Sequence, residues 1–342
     1  MNFRTSRHRA RLAGVAAAAS IFAGAAAPVA AADFTMKISS PTVRSALEQF
    51  TETLKQKLEA RTNGRIEVKG YPASQLGAIP RVIEGVQLGT IEAAQIPPEF
   101  LVGVDERFSI FSVPGVLHNV QHGRDALNDP EFKAAFWKTG QDKGIQIIAH
   151  NCDTAVDWAT RNPIRTMEDL KGLKLRIFGS PIEREMLSRL GAAGVPMPPD
   201  EVLNAIQQHV IDGNKAGITV FVPFKYVDVV KYIWTPHDSQ LCVLKFASKV
   251  WLDKLPADLK TAVIEESLKA SDEVMPFTLK LDDQMYEAWK NSGGTITEFA
   301  PDEQKKFMDR IADVGDVVYK DRPQAKELLD LLKKVAKRHE KM

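Results

Sequence analysis

The chain has 342 residues, more than one typical core holds, so two domains are the first expectation. It is 44% hydrophobic and 26% charged, which excludes a disordered chain. The formal net charge of +1 is misleading: of 45 Lys+Arg, four lie in the first 32 residues, leaving 41 against 44 Asp+Glu, a net −3 with no basic footprint for nucleic acid.

Those first 32 residues read as a signal peptide. Arg4, Arg7, Arg9 and Arg11 form a cationic start, and the run from Leu12 to Ala27 is apolar. Ala30, Ala31 and Ala32 before Asp33 fit an A-x-A cleavage site, so cleavage after Ala32 and a periplasmic location are expected. The competing reading is an uncleaved N-terminal anchor. No cysteine near the junction suits a lipid anchor, and no later stretch approaches the roughly 20 apolar residues of a spanning helix.

Strand-like and helix-like segments then alternate, which argues for an α/β architecture. Residues 35–39 read as a strand. Leu47, Phe50, Leu54 and Leu58 recur at helical spacing across 44–61, a helix closed by Asn63 and Gly64. Residues 65–69 alternate as a strand, 81–88 as a helix stopped by Gly89, and 91–96 as the next strand. The pattern recurs at 145–149, 173–177 and 182–190. Residues 257–291 predict a helix of some 35 residues, which Pro276 should kink or break. Gly293 and Gly294 end it, 295–299 form a late strand, and Pro301 opens another helix. Two domains with no Pro/Gly-rich linker point to joining by crossing strands.

Catalytic motifs are missing: no G-x-S-x-G elbow, P-loop, G-x-G-x-x-G or H-E-x-x-H occurs. His118 and His122 lie four apart, but without a third ligand they read as a solvated or capping pair. Asp105–Glu106 and Asp282–Asp283 read as surface acids. Paired carboxylates assemble in space and leave no signature in sequence. No enzyme, cofactor or metal site is expected. Cys152 and Cys242, 90 positions apart in strand-like segments, form either a bridge or two buried thiols.

One segment is more specific. Asn162 to Arg176 (NPIRTMEDLKGLKLR) resembles the signature of the DctP-type solute-binding proteins of TRAP transporters. Tyr71 to Gly77 (YPASQLG), Gly191 to Val202 with Ile211 to Gly213, and His237 with Val250 to Leu259 are similar to that family's other blocks, in order, so the likeness covers nearly all of residues 33–320. The resemblance implies two α/β lobes with crossing strands and a long kinked helix spanning both. Lobe I would take 33–153 and about 242–281, lobe II 154–241 and about 282–335. It further implies a small organic acid held between the lobes and delivered to membrane permease subunits, by a mature form that does not span the membrane.

In that family the arginine ending the signature grips the ligand carboxylate, which here is Arg176. A guanidinium fork matches two carboxylate oxygens; taken alone, this arginine would read as a surface residue beside Lys171 and Lys174. Two positions depart from the family pattern: Val156 stands where many members carry a second arginine, and Ala216 where many carry an asparagine. Trp158, Phe178, Asn214, Gln95 and Ser40 are the remaining candidate ligand-binding residues, with core packing an equal explanation for either aromatic. A cleft of Arg, Trp and Phe suits a carboxylate with an apolar or aromatic body. The alternatives are a C4-dicarboxylate or 2-oxo acid, or a sensor module presenting ligand to a membrane receptor.

Overall fold

Met36 and Ile38 are buried and alternate with the half-buried Thr35 and Lys37 in β1 (Phe34–Ser39). In α1 (Ala46–Arg61) the apolar stripe Leu47, Phe50, Leu54 and Leu58 is buried, each large side chain contributing about 1.5–3 kcal/mol. Asn63 and Gly64, both at positive φ, turn the chain into β2 (Ile66–Tyr71). Then come α2 (Ile79–Leu88), closed by Gly89 at φ +79°, and β3 (Ala93–Ile96). This computed structural model describes residues 31–340, so the expected leader lies, apart from Ala31 and Ala32, outside the described residues.

Two 3-10 turns at 98–101 and 106–112 lead to α3 (Val120–Leu127) and α4 (Pro130–Phe136). The long strand β4 (Ile145–Ala155) runs almost directly into β5 (Asp157–Thr160), with Val156 alone between them. There follow β6 (Lys174–Ile177), α5 (Pro181–Arg189), β7 (Ala193–Pro196), α6 (Pro199–Gln207), β8 (Gly213–Ala216) and the short α7 (Ile218–Phe221). The chain continues through β9 (Tyr232–Trp234), β10 (Gln240–Ser248), α8 (Lys249–Leu252) and α9 (Ala257–Asn291). It closes with β11 (Thr295–Thr297), α10 (Pro301–Ile311), α11 (Val314–Val318) and α12 (Pro323–His339).

The strands form two sheets, ordered β2-β1-β3-β10-β4 and β11-β9-β5-β8-β6-β7. Three segments cross between them. β4 becomes β5, β9 returns to β10, and the two crossings are tied by Val156 N–H donating to Ser239 C=O at 3.1 Å. The third is α9, whose Leu259, Ala262, Val263, Ala270 and Val274 pack in the first sheet's core while Trp289 packs in the second's. Pro276 does not break this helix. The carbonyl it deprives of a donor belongs to Asp272, and both residues are exposed, so water can serve it. The last helix, α12, returns to pack on α3 and α4.

Cys152 and Cys242 face each other across β4 and β10 and are joined as a disulfide, so the open choice between bridge and free thiols is decided. Closing a loop of 90 residues removes denatured-state entropy worth about 4–5 kcal/mol in the chain model. Among the described residues no helix is long and apolar enough to cross a membrane.

Candidate ligand-binding site

The carboxyl ends of parallel strands are where open α/β sheets place ligands. Here β1 and β3 of one sheet and β6 and β8 of the other all end at one cavity. Pro41 and Thr42 follow β1, Pro97 and Phe100 follow β3, Arg176 and Phe178 close β6, and Asn214 and Ala216 lie on β8. The space among the lining atoms is about 1040 Å³, the part open to solvent included. Cavities of this size suit small molecules and not polymers.

Arg176 is the chemical centre. It is Cα partner to Asn214 across the parallel β6–β8 pair, so the two side chains stand side by side. Its Nε donates to Met197 C=O at 2.9 Å, and its Nη1 donates to Lys215 C=O at 3.0 Å and Asn214 Oδ1 at 3.3 Å. Phe178 and Phe100 flank the guanidinium, 4.8 and 5.5 Å from its central carbon. Only 1% of Arg176 is exposed, yet its Nη2 is buried with no hydrogen-bond partner, and no carboxylate among the described residues is within ion-pair distance. Burial lowers its pKa to about 10, so it stays cationic at neutral pH. A buried donor left unmade costs about 1–3 kcal/mol, which an entering anion returns.

The supports behind Arg176 are also polar and buried. Asn214 Nδ2 donates to the Tyr226 hydroxyl at 3.0 Å, and burial raises the Tyr226 pKa to about 12 despite the nearby arginine. Glu183, in the first turn of α5, accepts from the backbone N–H groups of Gly179 and Ser180 at 3.0 Å each. Its other oxygen accepts from Lys215 Nζ at 2.8 Å, with both side chains almost wholly buried. Burial works against the Lys215 charge, but Glu183 and Asp238 outweigh it and its pKa rises. Glu99 lies in the same group, pushed up to about 7 by burial and by Glu183.

Of the candidate residues read from sequence, the structure brings Arg176, Phe178 and Asn214 together on the cavity wall. Trp158, Gln95 and Ser40 are not part of that wall. Trp158 is Cα partner to Lys215 and Trp234, which puts it on the sheet face away from Asn214, against Trp234 at 6.4 Å. Gln95 points under α1, donating to Leu47 C=O at 2.9 Å and Thr51 Oγ1 at 2.7 Å. Ser40 faces a separate, shallower depression with Glu48 and Tyr71. Val156 packs behind Phe178, Phe100 and Leu241, while Ala216 lines the cavity.

Sequence reasoning missed Phe100, Tyr226, Phe224 and Asp153, all on the wall. Asp153 carried little signal, since its strand also holds Gln146, His150, Asn151 and Thr154. The expectation that Asp282 is a plain surface acid needs correction: it is half-buried, accepts from Thr154 Oγ1, and burial raises its pKa to about 6. His118 and His122 stack at 4.8 Å, with His122 rings bonded to the His118 N–H and Ala336 C=O.

The sequence profile of the bacterial extracellular solute-binding proteins, family 7, matches residues 39–321. The 2,3-diketo-L-gulonate-binding periplasmic protein of Escherichia coli (strain K12) is 26% identical over 284 residues, 81% of this chain and 84% of the relative. The C4-dicarboxylate-binding periplasmic protein of Rhodobacter capsulatus is 27% identical over 274 residues, 75% of this chain and 78% of the relative. Among solved structures, a TRAP periplasmic solute-binding protein from Desulfovibrio salexigens with bound orotic acid has a TM-score of 0.84 at 23% identity, covering 89% of this chain and 99% of that one.

Proposed function

The chain belongs to family 7 of the bacterial extracellular solute-binding proteins, binding proteins of TRAP transporters and not enzymes, and from that premise we propose that it captures a small organic acid whose carboxylate docks on Arg176. Residues 1–32 direct its export to the periplasm and are removed after Ala32. Residues 33–153 with about 242–281 form one lobe and 154–241 with about 282–322 the other, α12 joining the first lobe through α3 and α4, and the loaded protein hands its ligand to membrane permease subunits. The observation that carries this reading is Arg176 Nη2, buried on the cavity wall without a partner among the described residues. In water-poor surroundings a charge-assisted pair there is stronger than at a surface. Phe100, Phe178, Phe224, Leu203 and Leu241 supply an apolar wall for the body of the acid, which favours a flat or ring-bearing carboxylate. The relative holding orotic acid is a precedent for such a ligand in this fold.

The test is calorimetric titration with benzoate, orotate, succinate, pyruvate and gluconate. Arg176→Ala is expected to weaken binding of every acid that binds by about 2–5 kcal/mol, the usual effect of removing one partner of a desolvated charge pair. Arg176→Lys should not restore it, because an ammonium lacks the planar fork. An Arg176→Ala variant that melts like the parent and binds as tightly would remove Arg176 from the mechanism.

A further inference from the structure

The wall that faces the cavity from the first sheet carries an acid, Asp153, with one oxygen left without a donor among the described residues. β4 pairs Cys152 with Cys242 and Thr154 with Leu241, and the register shift between them leaves Asp153 without a partner on β10. A bulge of this kind re-aims a side chain, and such irregularities gather beside functional sites. The adjoining Cys152–Cys242 disulfide holds the two strands together at this point. Asp153 is only 6% exposed, and what it exposes lines the cavity beside the apolar Leu241, Val243 and Leu281. Its Oδ1 accepts from Asn151 Nδ2, whereas no donor among the described residues reaches its Oδ2, and no cation among them stands within ion-pair distance. Burial raises the Asp153 pKa, and the more distant Lys245 charge and the Asn151 amide work against that rise.

We propose that Asp153 is the second recognition point of this cavity, accepting a hydrogen bond from an N–H or O–H of the ligand, so that the ligand is a monocarboxylic acid with a donor group and dicarboxylic acids are rejected. This deepens the reading above and rests on it. The wall offers one cation, Arg176, on the second sheet and one buried carboxyl group, Asp153, on the first. Asp200, the other acid on the wall, is exposed at its margin. A ligand satisfying both ends therefore carries a carboxylate and a donor, and it touches both sheets at once. A second carboxylate would meet the like charge of Asp153 in a poorly solvated place, where repulsion is least screened. A plain hydrocarbon end would bury the Asp153 oxygen with nothing to replace its water.

The experiment is calorimetric titration of the wild-type protein with benzoate, the three hydroxybenzoates, the three aminobenzoates, terephthalate and succinate. It is repeated with Asp153→Asn and Arg176→Ala, and thermal unfolding checks each fold. At least one hydroxy or amino acid should bind tenfold or more tighter than benzoate to the wild type, with terephthalate and succinate weaker than benzoate. Asp153→Asn should erase that preference and raise dicarboxylate affinity at least fivefold. Benzoate binding as tightly as every donor-bearing acid in the wild type overturns the role of Asp153 while leaving carboxylate capture intact. So does an Asp153→Asn variant that keeps the wild-type ranking. Binding of no acid, or binding indifferent to Arg176→Ala, sinks both readings together.

Discussion

Replacing Glu183 by Gln tests how the loop that follows Arg176 is held. The substitution keeps the shape of the side chain and removes its charge. Glu183 serves three donors: the Gly179 and Ser180 N–H groups through one oxygen and Lys215 Nζ through the other. Glutamine offers one oxygen, so it keeps the N-cap contacts or the lysine contact, not both. Losing the cap costs about 0.5–2 kcal/mol, and losing a hydrogen bond to a charged group about 1.5–3 kcal/mol. The upper limit comes from Lys215 itself. If the buried ammonium finds no partner it sheds its proton, which at pH 7 costs about 4.6 kcal/mol for a group that ionises near 10.4 in water. Asp238 and Glu99 stand close enough to soften that loss. The expected destabilisation is therefore about 3 kcal/mol, read as a lower urea midpoint at unchanged slope. It should survive raised salt, because the pair is buried beyond screening. Adding Lys215→Met should recover part of the loss, since an uncompensated charge costs more than a removed pair. A loss under about 1 kcal/mol, or a double variant less stable than the single one, would refute this account of the pair.

Two further outcomes follow from buried side chains. Burial, with the charges of Lys133 and Lys245, pushes the His150 imidazole down to about 3, and its Nδ1 accepts from Trp137 Nε1 at 3.2 Å. A depressed histidine contributes stability that is present above the unfolded value near 6.5 and lost as pH falls toward 3, so the advantage of wild type over His150→Gln in urea unfolding should shrink by roughly 3 kcal/mol between pH 7 and 4. The raised carboxyls of Asp282 and Glu99 act in the opposite sense but cancel in that difference; a gap that does not change with pH counts against a neutral buried His150. Trp158→Phe should cost about 1–3 kcal/mol of stability through lost packing on Trp234 while leaving acid affinity within about threefold, and the reverse pattern would return Trp158 to the binding wall.

Elements whose limits are written in local chemistry were legible. The stripe in α1 and the Asn63–Gly64 turn reappear as read, and α9 runs over the residues its periodicity and flanking Pro256, Gly293 and Gly294 mark out. The stretch from 98 to 143 was not legible, because 3-10 turns and helices of seven or eight residues carry too few repeats for a period to register. Of the wall, Arg176 came through the likeness of its block, Phe178 through nearness to it, and Asn214 through sharing strand parity with Ala216.

Trp158 shows why the rest of the wall stayed hidden. Counting by twos from Val156 puts Trp158 on the same face, but Val156 lies between β4 and β5, outside both ladders, so the count restarts at the crossing. What then decides the face of Trp158 is its pairing with Lys215 and Trp234, more than 50 residues away in sequence. Asp153 is aimed by the opposite accident, an extra residue in β4 that only the partner strand β10 reveals. Both cases turn on register between distant strands, which a single sequence does not encode locally. The same crossings that obscure register bring the first sheet's acid and the second sheet's arginine to one cavity. A ligand held by both therefore bridges the sheets, and its binding energy and their relative position become one quantity.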